Sequence, residues 1–345
     1  MAGTTEQTSP AAGRNVGGER YAEQRLFALS PLNVWLTTAL IYLVLAGAYA
    51  AAAVLDGRAL MIRTAAGPAL GRETQIALVL TFIVCAILGL QRWSYLKEVE
   101  ERPAMARALG PGQTWSPQGA PVKRLWLMTA LGVVASLVIS LLYLPRGGGA
   151  ATYLWFTLIS ALLSVLFFRG VELTRMGSRH ASTVVRTLKI DLLRVDELYP
   201  WGRAAARTSL IWFTVSAATC LLFVGGELTL YTVGLLLSCA GIGLLVFART
   251  LSLVHHRIRE AKAAALDGLR TDITALKSRL HDDPAAPAKL QSLLAYEARI
   301  AAAPEWPFDQ TILVRLGASA LILTVPWFGQ AFAGLVVEHF GKAIQ

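Results

Sequence analysis

Apolar residues fall in long uncharged blocks along this chain, at roughly 33–55, 75–91, 125–144, 151–168, 208–225, 229–247 and 311–337. Each is about as long as a helix must be to cross the hydrocarbon core of a bilayer. A buried helix of a large soluble protein would keep a polar face. Leu210-Ile-Trp-Phe-Thr-Val-Ser-Ala-Ala-Thr-Cys-Leu-Leu-Phe-Val224 has none. The pattern predicts an all-α, polytopic helical membrane protein with about seven transmembrane helices.

Between the blocks the pattern changes. Residues 1–32 are polar and rich in Gly, Thr, Ala and Ser, which predicts a disordered tail. The first apolar block is too late and too long for a cleavable signal peptide. Residues 33–247 then form a six-span bundle, interrupted by an amphipathic helix over 181–198 with Val185, Leu188, Leu192 and Val195 on one face. Residues 248–304 read as a helical hairpin. From Arg249 to Leu280 apolar positions recur every three or four residues, Leu269, Ile273, Leu276 and Leu280 closing the stripe, with charges on the other faces. His281-Asp-Asp-Pro284 stops that helix, Asp283 and Pro284 suit the start of the next, and Leu290, Leu293, Leu294, Glu297 and Ile300 carry its return. Leu269, Ile273, Leu276 and Leu280 are the expected association surface of the hairpin.

Residues 305–345 hold a re-entry joint and the seventh span. Pro304 and Pro307 end the returning helix, and Trp306 and Phe308 suit the headgroup depth that amphipathic rings favour. Asp309 can cap the last span, and Arg315, two turns in, can snorkel back to the interface. A matching joint precedes the fifth span, where Tyr199, Pro200 and Trp201 lead to Arg203 and Arg207 as the snorkelling cations. The two joints are either an internal repeat of helix plus span or convergence on the same interfacial physics.

Charge then orients the chain. Of the 32 Lys and Arg residues, 26 fall in segments that a cytosolic N-terminus would keep inside, and 5 in those it would place outside. The positive-inside rule therefore predicts a cytosolic N-terminus, a cytosolic hairpin and a C-terminus on the periplasmic or extracellular side. The net charge of +10 reflects that asymmetry and implies affinity for anionic headgroups. No basic patch is interleaved with aromatics, so nucleic acid is not an expected partner.

The phrases Ile190-Asp-Leu-Leu193 with Pro200, Arg203 and Arg207, and Glu305-Trp-Pro-Phe-Asp309 before the last span, resemble those of a group of bacterial multi-pass inner-membrane proteins. The resemblance covers about 180–340. It implies a bacterial inner membrane and no activity.

Chemistry-bearing patterns are sparse. Cys85, Cys220 and Cys239 lie inside predicted spans, where they act as small apolar residues. There is no P-loop, dinucleotide fingerprint or nucleophile elbow, and no cofactor is expected. His256 with Glu260 one turn later could chelate with His255 nearby, but a usable site wants three or four ligands held by a second shell, so no metal is expected. Small residues at four-residue spacing, Ala46 and Ala50, Ser160 and Ser164, Gly234 and Ser238, predict close helix packing within or between subunits. Three functional readings are compatible with these patterns. The first is a non-enzymatic assembly or regulatory protein whose bilayer-embedded bundle carries a hairpin for a helical partner, with self-association open. A pore or uniporter lined by hydroxyls is the second, and an enzyme at the cytosolic interface the third.

Overall fold

The computed structural model describes residues 22–64, 67–109, 121–143, 149–188, 190–223, 230–278 and 284–306. Its helices are α1 (Ala22–Leu29), α2 (Val34–Leu55), α3 (Arg72–Arg107), α4 (Val122–Tyr143), α5 (Ala150–Val185), α6 (Tyr199–Cys220), α7 (Leu230–Lys277) and α8 (Ala286–Ala301). A two-stranded antiparallel ribbon, β1 (Met61–Thr64) and β2 (Gly67–Leu70), joins α2 to α3, with Met61 opposite Leu70. Five of the described helices, α2, α3, α4, α5 and α7, are long and apolar enough to cross a membrane. The predicted seventh block, 311–337, lies outside the described residues.

Local chemistry sets the boundaries. Asn33 caps α2 by accepting from the Leu36 amide at 2.8 Å, and Gly57, with φ of 68°, takes the left-handed turn after its end. α6 starts with Pro200 in its first turn, where a missing N–H costs nothing. Arg203 and Arg207 sit in α6, the helix that carries the expected block 208–225, and α6 is not among the five helices long and apolar enough to cross a membrane. Its position compensates: α6 packs against both α3 and α7, so it needs less lipid-facing surface.

Where the bundle is thickest, Tyr49 of α2 meets Trp155 and Phe156 of α5 edge to face, at ring-centre distances of 5.0 and 5.8 Å. Phe167 and Trp212 make a similar contact between α5 and α6 at 5.7 Å. The polar atoms of these rings are bonded, Trp155 to the Leu45 carbonyl and Trp212 to the Thr174 hydroxyl. α4 lies so close to α5 that a Cβ on Gly132 would come within 2.7 Å of the Val165 Cα. Ser160 and Ser164 are buried on α5, with the Ser164 backbone at that crossing. Their predicted role in close packing holds, whereas Gly234 and Ser238 on α7 are exposed.

α3 and α5 have 36 residues each and α7 has 48. At 1.5 Å per residue they measure about 54 and about 72 Å, far beyond the ~30 Å hydrocarbon core. All three overrun the same end of the bundle, here termed basal. There a second core forms from Met105 and Leu109 after the α3 span, Val185 and Leu188 after the α5 span, Val195, Leu198 and Trp201 around the start of α6, and Val254 and Ile258 of α7.

Three expectations change. A continuous amphipathic helix over 181–198 is not what forms: α5 stops at Val185, the Asp191 carboxylate accepts from the Leu193 amide at 3.0 Å, and a single 3₁₀ turn spans Val195–Leu198. That local bond turns the chain away from helix. The sixth span and the first hairpin helix are one helix, α7, and the return helix begins at Ala286 with Pro287, not Pro284, in its first turn.

Candidate functional site

The densest set of charge and aromatic contacts gathers at the basal end, around one turn of α7. Glu101, on the overrun of α3, meets Arg203 and Arg207 of α6. Those arginines are four residues apart, so both guanidiniums face one carboxylate. Arg203 Nε donates to Oε1 at 2.7 Å and Arg207 Nη2 to Oε2 at 2.6 Å. The Arg207 side chain is 9% exposed and that of Glu101 16%, whereas Arg203 is 42% exposed. Burial pushes the Glu101 carboxyl up, but the hydrogen bonds and charges of the two guanidiniums together outweigh it and hold the group below its ordinary value.

Glu172 of α5 does the same for its neighbours. Buried, it accepts from Arg175 Nε and Nη2 at 2.8 and 2.7 Å and lies 3.5 Å from Arg124 of α4. At the opposite end Asp56 caps α5 across 95 residues of chain, accepting from the Ala151 and Thr152 amides at 3.3 and 2.7 Å. Bonds from Thr152, with the Ala151 amide and nearby Arg58, lower the Asp56 carboxyl against a smaller desolvation cost. Carboxylates thus tie α3 to α6, α4 to α5, and the end of α2 to α5.

α7 links this basal core to α8. Val254 and Ile258 are buried in the core, and between them His255 turns its ring to the returning chain. Its Nδ1–H donates to the Glu305 carbonyl at 2.9 Å, which sets the tautomer, and the ring stacks on Trp306 at 4.1 Å with a 15° interplanar angle. About two turns further along α7, Lys262 Nζ donates to the Ala303 carbonyl at 3.0 Å and lies 3.3 Å from the Glu305 carboxylate. Arg270 pairs with Glu297 at 3.2 Å. As residue numbers fall on α7 they rise on the partner, so α8 runs antiparallel to α7 and delivers Trp306 beside the basal core.

Of the residues singled out by sequence, Tyr199, Pro200, Trp201, Arg203, Arg207 and Trp306 come to this region. Trp201 is buried in the basal core, and Arg203 and Arg207 both bond to Glu101. Leu269 and Ile273 are buried, and Leu276 is half-buried, on the α7 segment that α8 packs against. They serve the hairpin's interior, and the large exposed apolar residues of α8 are Leu294 and Tyr296. Pro307, Phe308, Asp309, Arg315, Leu280 and the His281–Asp283 turn lie outside the described residues.

His256 is 73% exposed and 3.2 Å from Glu260, which also takes Arg257. Among the described residues no group of three or more His, Cys, Asp or Glu gathers to hold a metal. Glu101, Glu172, Asp56 and the His255 stack are not marked in the sequence. The Arg203 and Arg207 pair at the head of an apolar helix signals a missing acid, but its partner is 102 residues away and unmarked among three nearby glutamates. Comparison with protein families, with curated proteins and with solved structures finds no match.

Proposed function

We propose that this is a non-enzymatic assembly or regulatory protein of a bacterial cytoplasmic membrane. On this reading a bundle of about seven spans, including 311–337, presents a cytosolic hairpin of α7 and α8 to a helical partner. The observation that carries the proposal is the continuity of α7. Its first half contributes Cys239 to the membrane core, its middle contributes Val254 and Ile258 to the basal core, and its last part pairs with α8. A force on the hairpin therefore reaches the bundle through one rigid element, which is how a docking event in the cytosol would be felt in the bilayer.

A pore has less support. Three of the buried hydroxyls, those of Thr81, Ser209 and Thr219, donate to carbonyls four residues back on their own helices, at 2.8, 3.2 and 2.8 Å, which leaves their protons engaged within the helix. The enzyme reading loses its best ring, because His255 is occupied with Trp306 and Glu305.

The test uses a photo-activatable residue at position 294 or 296 of α8 in the full-length protein in its native membrane. A partner protein linked from both positions, with the link from 296 lost on Leu294→Asp while bundle assembly persists, is the expected result. Links confined to lipid and to the same chain would overturn the docking role.

A further inference from the structure

The sequence places residues 22–32 in a polar tail, yet residues 22–29 form α1, and its burial divides by face. Phe27 is buried, whereas Leu26 is 52% and Leu29 83% exposed, and no other large apolar side chain among the described residues is as exposed as Leu29. At about 100° per residue, Leu26 and Leu29 share one sector of the helix, and Phe27 and exposed Ala28 point about 130° to either side of it. Arg25, also exposed, lies between Leu29 and Ala28.

The bundle fixes the depth of α1. Phe27 joins the core cluster that holds Tyr49, Ile83 and Trp155 of the spans, not the basal core, and α1 packs against α3. The turn into α2 is tied: Ser30 Oγ accepts from the Leu32 amide at 3.3 Å and from the Thr37 hydroxyl at 2.8 Å, and Asn33 caps α2. α2 and α3 run antiparallel, with Tyr49 meeting Thr74 and Thr38 lying on Gly89. Five residues before Thr38 is Asn33, and five beyond Gly89 is Ser94, within a turn of Arg92, the first charge after the apolar run 75–91. The joint between α1 and α2 therefore stands at the level where α3 leaves the apolar zone. Leu32, Trp35, Leu36 and Leu40 are exposed there and upward along α2, so the bare sector of α1 continues into the surface that a spanning helix turns to lipid, with Trp35 at the depth aromatic rings favour.

We infer that α1 is an interfacial helix lying in the plane of the membrane, with Leu26, Leu29 and Leu32 inserted into the acyl boundary of the basal leaflet. Apolar residues on one side and a basic residue at the edge suit that position. Phe27 clips the helix to the bundle, Ala28 faces water, and Arg25 is placed to reach lipid phosphate. The partner of this surface is the bilayer itself. The inference rests on reading α2 and α3 as spans.

The test is nitroxide accessibility on the full-length protein, with Cys85, Cys220 and Cys239 changed to Ala, in vesicles of phosphatidylethanolamine and phosphatidylglycerol. Single labels go on Leu26→Cys, Ala28→Cys and Leu29→Cys, with Leu43→Cys on the exposed side of α2 as the reference for a span. Oxygen partitions into lipid, and a nickel chelate stays in water. The expected ratio of oxygen to nickel collisions is several-fold higher at 26 and 29 than at 28, and highest at 43. Nickel access at 26 and 29 equal to that at 28, with 43 still oxygen-rich, would overturn the interfacial helix and leave the spans in place. Low collision rates with both reagents at 26 and 29 would show protein over the sector, from a second copy or another chain, and would also overturn it. Ready nickel access at 43 would remove the span itself, and the inference with it.

Discussion

Replacing Glu101 by Gln keeps the shape of the basal ion cluster and removes its negative charge. Arg207 is then left as a buried cation whose guanidinium has lost its carboxylate. Breaking one side of a buried pair costs ~3–5 kcal/mol, and with Glu101 still 16% exposed the lower end applies, about 3 kcal/mol. Arg203 adds under about 1 kcal/mol, because its side chain is 42% exposed and water screens it. The sharper quantity is the coupling. Arg207→Met on its own leaves Glu101 paired with Arg203, and in the double variant neither partner is stranded. Glu101→Gln in the Arg207→Met background therefore loses little more, and the cycle returns about 2–3 kcal/mol. Unfolding by added SDS in mixed micelles, tracked by helical circular dichroism on the four proteins, measures it. Strict additivity of the two single changes would refute the buried pair.

The same structure sets three further outcomes. Gly132→Ala forces α4 off α5 and destabilises by about 1–3 kcal/mol, while Gly177→Ala, with open space around it, stabilises by up to about 1 kcal/mol; the same SDS titration separates them. Because the folded-state value of Glu101 is depressed, its contribution is full above the ordinary carboxylate value of 4.5 and is lost as pH falls through the lower folded value, so Glu101→Gln flattens the acid limb of a stability–pH curve. His255→Ala removes the stack on Trp306 and the bond to Glu305, and hydrogen exchange in 286–301 quickens, whereas His256→Ala, exposed to water, leaves it unchanged.

Much of the architecture is legible in the sequence because apolar blocks of membrane length have few alternatives. The expected 33–55 and 125–144 correspond to Val34–Leu55 and Val122–Tyr143. What a single sequence hides is where such helices stop once outside the lipid. Pro103 argues for an end to α3, yet the helix continues to Arg107, with Pro103 exposed and Met105 drawn into the basal core. Val185, Leu188 and Val195 do form a buried set, but tertiary packing buries them, not a helical stripe. The same limit applies to the site. An aromatic next to prolines and arginines reads as an interface anchor, and only the fold shows that α3 supplies a carboxylate for the arginines and α7 a histidine for Trp306.

Coupling between hairpin and membrane requires α7 to be one unbroken rod from the bundle outward. Nitroxide labels at the exposed positions Ser238 and Asp272, measured by pulsed dipolar spectroscopy in lipid bilayers, test it. A continuous helix predicts a narrow distribution centred near about 51 Å, from 34 residues at 1.5 Å each. A broad or much shorter distribution would place a hinge between bundle and hairpin and contradict the coupling.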